Sequence, residues 1–319
     1  MRYTCRFWFL AAVLLGSLVS PAICSAETFT LAIAPDVQQE ITGHPAQFND
    51  RMRWLVENKD ALNLKMVLLV GDIANWDTPD HLYYLRAGAG MEILGKARIP
   101  YAIALGNHDT AAVKPGGSAA PGNTNKNLRI TTTYNTFFPV RRFTRLAGMY
   151  QPGKMDNAFH TFEAGGLNWL VLNLELWPRT EVIEWAKNVV QEHPKHNVII
   201  LTHAYLTGGS SIQQNNGGYG DNSPQYLFDN LIKPYANVRM VFCGHTGRSG
   251  YRTDQGTNGN TIYQFLQCYH DNSTNPVRLL AIDTDNGTMK SHVYCPSIGK
   301  EKDDGSAFTV TGVKWVGKN

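Results

Sequence analysis

An excess of either charge is missing from this chain: 29 Lys and Arg against 26 Asp and Glu leave its 319 residues a formal net charge of only +3. Without Arg2 and Arg6 of the first segment it falls to about +1. No basic stripe or domain stands out, which excludes the footprint that nucleic-acid binding requires. Long hydrophobic runs are scarce as well. The one near the start, Phe7 to Val19, is shorter than the roughly 20 apolar residues a membrane helix needs. It follows a short basic start and precedes Ser20-Pro21 and small residues up to Ala26, the order of a secretory signal peptide. Cleavage is expected after Ala26, with a secreted or periplasmic destination and no transmembrane span afterwards. An uncleaved anchor and a lipid at Cys24 are the alternatives, the latter opposed by Pro21, which interrupts the small apolar pattern before that cysteine.

Cysteine is sparse. Loss of residues 1–26 removes Cys5 and Cys24 and leaves Cys243, Cys268 and Cys295. An odd count in an oxidising compartment permits one disulfide and one free thiol, but excludes a framework of staples. Cys243 and Cys268 each follow an apolar run, so they either face one another across neighbouring strands or are, with Cys295, small buried hydrophobes. A Gly-x-Ser-x-Gly elbow and a Walker loop are absent too, which removes the usual serine-hydrolase and nucleotide-driven readings. Gly88-Ala89-Gly90 follows a helix-like stretch, Leu82 to Arg86, so it is no dinucleotide fingerprint.

What is there is a recurring arrangement: short apolar, strand-like runs, each followed at once by polar donors. Phe29 to Ala34 precedes Asp36 and Gln38, and Met66 to Val70 precedes Gly71-Asp72. Tyr101 to Leu105 precedes Gly106-Asn107-His108-Asp109, Val198 to Thr202 precedes His203, and Val238 to Cys243 precedes Gly244-His245. Parallel strands that finish at one sheet edge bring the residues just past their ends into a single crevice, however far apart they lie in sequence.

Between these runs, Gln47 to Asn58 spaces Phe48, Met52 and Leu55 as a helix does. Asp80 to Gly95 and Thr180 to Gln191 are further helices, the last with Val182, Trp185 and Val189 on one face. Strand, helix, strand order indicates parallel α/β units. Ala111 to Asn127 is dense in Gly, Pro, Ser, Ala and Asn and forms a surface loop that either gates the crevice or decorates it. A strand is expected at Trp169 to Leu174. Runs at Thr261 to Leu266, Val277 to Ile282 and Met289 to Tyr294, with Asn286-Gly287 between the last two, read as an antiparallel meander. No repeat or linker divides the chain. Residues 27–299 are expected to form one domain and 300–319 a tail or final strand.

Asp36, Asp72, Asn107, His203 and His245 are oxygen and nitrogen donors suited to Mn, Fe or Zn, with no cysteine placed to compete. A carboxylate such as Asp72, aimed by the turn at Gly71, can bridge two cations about 3.5 to 4 Å apart, the spacing that two-metal hydrolases use. His108 is the natural proton donor to a departing alkoxide, and Asp109 is expected to orient or charge-stabilise it.

These motifs resemble the calcineurin-like metallophosphoesterase family, whose signature runs Asp-x-His, Gly-Asp, Gly-Asn-His-Asp or Glu, a lone His, then Gly-His-x-His. The resemblance spans Phe29 to Pro296. It implies a four-layer α/β sandwich of two mixed β-sheets flanked by helices, and two divalent or trivalent metal ions. One ion would be held by Asp72, Asn107, His203 and His245, the other by Asp36 and Asp72, with His108 aiding the leaving group. Two positions depart from the pattern: Gln38 replaces a histidine, and Gly247 replaces the second histidine of the last motif. Gln38 still offers an amide oxygen, weaker than imidazole for Zn or Fe. The ion between Asp36 and Asp72 is therefore expected to be held loosely, and the one at Asn107, His203 and His245 firmly, unless Asn75, His44 or the loop from Arg248 to Asn260 fills the gap.

Arg248 and Arg252 either contact a substrate phosphate or are solvated. Tyr134, Phe137, Phe138 and Phe143 either rim the crevice or pack beneath the Gly-rich loop. The resemblance implies an exported, metal-dependent hydrolase of phosphomonoesters or phosphodiesters. The alternative is a degenerate member that binds a phosphorylated or cell-surface ligand without turnover. No feature points to a particular oligomer.

Overall fold

The computed structural model describes residue 1 and residues 28–270 and 273–318. Apart from Met1, the leader read in residues 1–26 lies outside the described residues. From β1 (Phe29–Ala34) the chain runs through α1 (Gln38–Gly43) and α2 (Pro45–Glu57) to β2 (Leu64–Leu69), then through α3 (Leu82–Lys96) to β3 (Tyr101–Ile103). Short helices α4 (Thr124–Leu128) and α5 (Thr132–Phe137) lead to β4 (Leu146–Met149), β5 (Ala158–Ala164) and β6 (Leu167–Asn173). Next come α6 (Thr180–Glu192), β7 (His196–Leu201), α7 (Pro224–Leu227), β8 (Val238–Cys243), β9 (Ser249–Gln255) and β10 (Thr261–Gln267). The last strands are β11 (Val277–Asp283), β12 (Thr288–Cys295), β13 (Lys300–Glu301) and β14 (Phe308–Val310).

Two mixed sheets result. The first has the order β13-β12-β11-β1-β2-β3, with β14 also on β12; the second has the order β4-β5-β6-β7-β8-β10-β9. Within the first, β1, β2 and β3 are parallel. Within the second, β6, β7, β8 and β10 are parallel. All six residues of β1 are buried. Its alternation sends Phe29, Leu31 and Ile33 between the sheets, against Trp169, Val171, Ile199 and Phe242, while Ala32 and Ala34 meet the helices on the other face. Burying each large side chain of this kind stabilises the fold by about 1.5–3 kcal/mol.

Helices cover the two outer faces. In α2, Pro45 presets the first turn, and Phe48, Met52 and Leu55 are buried against the first sheet. In α6, Val182, Ile183, Ala186, Val189 and Val190 pack on the second sheet. Tyr134, Phe138 and Phe143 are buried in the first helical layer, which gives these aromatics a packing role. The segment after residue 299 supplies β13 and β14. It also supplies Trp315, which meets Trp169 edge-on at 5.0 Å between the sheets.

One expectation about order needs correcting. Val277 to Asp283 and Thr288 to Cys295 do pair antiparallel, but β10 is no part of that meander. It lies in the other sheet, parallel to β8, with Leu266 opposite Cys243. A sixth strand end therefore delivers residues to the same crevice.

Candidate metal centre

Six strands, β1, β2, β3, β7, β8 and β10, end at this crevice, and residues just beyond five of them, all but β3, form two adjoining donor groups. Asp72, His203 and His245 present ligand atoms all within 4.8 Å of one another, and Asp36, Cys268 and His270 do the same. Asp72 stands between the groups. Its Oδ2 lies 3.3 Å from His203 Nε2 on one side and accepts from Gln38 Nε2 at 3.1 Å on the other, while Oδ1 accepts from the His108 N–H at 3.0 Å. The turn that aims it is tight: Gly71 has φ +109°, and Asp72 itself has φ +53°, rare for a residue with a side chain.

Backbone carbonyls decide which imidazole nitrogens face the crevice. A carbonyl can only accept, so His203 Nδ1, 2.8 Å from the Val70 oxygen, carries the hydrogen and leaves Nε2 for the centre. That Nε2 lies 3.1 Å from His245 Nδ1. His245 has φ +75°, and its N–H donates to Asp36 Oδ2 at 2.8 Å. Likewise His108 Nδ1 donates to the Asn75 carbonyl at 2.6 Å, which leaves Nε2 free.

Asp109 does not orient His108 through a hydrogen bond. Its Oδ1 accepts from the Ala74 N–H and its Oδ2 from the Gly106 N–H, each at 3.0 Å, so it pins two turns together and the Asn75 carbonyl orients His108. Burial and the nearby charge of Asp72 push the Asp109 carboxyl up to about 7.

The group of Asp36, Cys268 and His270 departs most from the sequence reading. His270 Nε2 lies 3.3 Å from Asp36 Oδ2 and 3.0 Å from Gln38 Nε2, and Cys268 Sγ lies 3.4 Å from Asp36 Oδ2. A cysteine does therefore stand at the centre. Among the described residues neither His44 nor Asp254 of the Arg248 to Asn260 loop joins a donor group. Asn75 Nδ2 donates to Thr42 at 2.7 Å, and Arg252 is paired with Asp254 at 2.7 Å. Position 247 itself has no room for a side chain, because a Cβ there would lie 2.8 Å from Gly208 Cα. Cys268 and His270 follow an apolar run just as the other donors do, and that signal was available once β10 was read as a strand ending at the crevice. Cys243 and Cys268 are buried free thiols, and Cys295 is buried as well.

Electrostatics and unsatisfied atoms both fit cations here. Burial alone would lower His203, but the carboxylates of Asp72 and Asp36 outweigh it and raise the imidazole to about 10. A field that holds a proton so firmly also favours a metal ion. Burial and His203 together push His245 down to about 4. Three buried side-chain oxygens, Asp36 Oδ1, Gln38 Oε1 and Asn107 Oδ1, have no hydrogen-bond partner. Buried acceptors left without partners are costly and call for an ion or an equivalent donor.

The sequence profile of the calcineurin-like phosphoesterases matches residues 29–249, and the chain belongs to that family. It is similar to an uncharacterized Bacillus subtilis (strain 168) protein, YvnB, at 26% identity over 286 residues. That match covers 85% of this chain but only 20% of the relative, so the chain spans about a fifth of that protein's length. Among solved structures, a dimetal phosphatase from Danio rerio has a similar fold, with a TM-score of 0.55 at 12% identity. The likeness covers 89% of this chain and 98% of that one.

Proposed function

We propose that the chain is an exported phosphoesterase that hydrolyses phosphomonoesters or phosphodiesters at a dinuclear metal centre. The observation that carries this reading is the pair of orphaned oxygens, on Asp36 and Asn107, at two adjoining donor groups with Asp72 between them. The motifs of the family and the leader-like order of residues 1–26 support it.

Asp72, His203, His245 and Asn107 would hold one ion, and Asp36, Asp72, Gln38 and His270 the other, with Cys268 beside them. Exchanging the two ends of the Gln38 amide puts its oxygen where its nitrogen now lies, among Asp72 and His270. His270 thus supplies the imidazole that Gly247 lacks. Such an ion pair, when bound, lowers the pKa of a water, clamps phosphoryl oxygens and neutralises the charge of an in-line displacement. His108 hands a proton from Nε2 to the departing oxygen, its ring held by the Asn75 carbonyl. The non-catalytic reading, founded on Gln38 and Gly247, loses ground because His270 stands against Asp36.

The test is hydrolysis of chromogenic mono- and diesters by the chelated chain before and after addition of Mn, Zn or Fe. Metal-dependent turnover of at least one ester is expected. Asp72→Ala should cost at least about 100-fold, the upper range for losing a mere outer-shell partner, with circular dichroism unchanged. Failure of every ester with every metal would refute the proposal.

A further inference from the structure

Beside the metal centre lies a cavity of about 210 Å³, which shares Asn107 and His245 with it. Its walls include Ala112, Val113, Leu128 and Trp177, and among the described residues no Asp, Glu, Lys or Arg side chain lines it. The glycine-rich stretch after β3 therefore contributes a wall to the crevice.

Trp177 is the unusual member. Its φ is +44°, a strained conformation for a bulky side chain that persists only where the surroundings over-determine it. Those surroundings are explicit. Arg129 donates to the carbonyls of Leu176 and Trp177 at 3.0 and 2.8 Å and pairs with Glu175 at 3.2 Å. Glu175 also binds Arg179 at 2.9 Å, and its N–H donates to Asn157 at 2.8 Å. Fixed in this way, the indole sits edge-on to His245 at 5.9 Å and stacks with Tyr219 at 6.1 Å. The side chain is 7% exposed, and its Nε1–H is buried without an acceptor. Asn125 donates to Asp221 at 2.6 Å, which ties the two loops around the cavity together.

We infer that this cavity is the subsite for the esterified group of the substrate, and that it takes an uncharged ring. The inference rests on the phosphoesterase reading of the adjoining metal centre. An apolar wall offers no partner for a second phosphate or an ammonium group. The volume lies below the 300–1,000 Å³ usual for drug-sized ligands, so the group is about one ring in size. Strain held by a buried network beside the reacting position is the arrangement expected where a side chain is pre-organised for binding.

Benzyl and ethyl phosphate, with their methyl diesters, test this because the two alcohols are of similar acidity and differ mainly in the ring. The Mn-loaded chain is assayed for kcat/KM by alcohol release. Benzylphosphonate and ethylphosphonate are compared by calorimetry, which reads binding without turnover. The ring should be favoured by at least about tenfold in both measurements. Trp177→Ala and Ala119→Trp, the latter filling the cavity from its exposed rim, should each abolish that preference. Equal treatment of both groups by the unaltered chain, absence of any phosphonate binding, or a preference that survives in both variants overturns the subsite. A ring preference in phosphonate binding with no ester hydrolysed keeps the subsite and refutes the phosphoesterase reading. Hydrolysis of both esters without preference does the reverse.

Discussion

His270 carries the largest consequence of any single residue outside the recognised motifs. A glycine at position 247 faces Gly208 too closely for any side chain, and an imidazole from a neighbouring strand end stands against Asp36 instead. Its ring is 42% exposed, whereas His203 is fully buried, so the two halves of the centre differ in access to solvent. Removing His270 should therefore empty one half and spare the other. His270→Ala is expected to bind one Mn per chain where the unaltered protein binds two, as counted by equilibrium dialysis and elemental analysis. Two ions in the variant would remove His270 from the ligand set. Cys268 plays a different part. Burial and the Asp36 carboxylate push its thiol far above the usual range, so it donates S–H to Asp36. A soft cation that displaced that proton would gain a thiolate ligand.

At the scale of elements, two buried groups set how the fold responds to change. Arg51 on α2 grips Glu40 on α1 through both oxygens, at 2.7 and 2.9 Å, and donates to the Asn275 carbonyl at 3.2 Å. It thereby ties two helices to the segment that follows His270. Arg51→Ala takes the guanidinium from the buried Glu40 carboxylate, which should cost about 3–5 kcal/mol in urea unfolding. The double variant Glu40→Leu, Arg51→Met should recover most of that loss, and equal destabilisation of single and double variants would contradict the ion-pair account.

His160 on β5 is the other. Burial pushes its imidazole down to about 4, so it stays neutral in the fold while the unfolded chain takes up a proton near 6.5. A base with a depressed folded pKa leaves stability intact above pH 6.5 and withdraws it as pH falls from 6.5 toward 4. At pH 4.5 the chelated protein should lose roughly 2 kcal/mol through this residue relative to pH 7. His160→Phe should flatten that part of the profile by a similar amount. An unchanged profile would assign the acid sensitivity elsewhere.

For the whole molecule, what was legible in the sequence followed from period and position. Short apolar runs ending in donors marked β1, β2, β3, β7 and β8, and Asp36, Asp72, His203 and His245 beyond four of them do come together. The boundaries of α2, α3 and α6 lie within a few residues of the expected ones, because a buried face repeats at helical spacing. The partner of β10 was not legible. Strand pairing is a long-range property, and the runs that follow it, β11 and β12, do form a hairpin. Once β10 was read into that hairpin, His270 had no reason to stand apart from other histidines. The role of Asp109 was hidden for a related reason, since its acceptor oxygens answer to backbone N–H groups that only the folded turns bring near.

Everything at this scale depends on two ions gathering where the parallel strands end. The most direct measurement is metal content per chain after chelation and Mn reloading, read beside ester hydrolysis on the same samples. The account predicts two Mn per chain and hydrolysis that disappears with chelator and returns with metal. A chain that binds no Mn, or that hydrolyses its ester equally well in chelator, would contradict it.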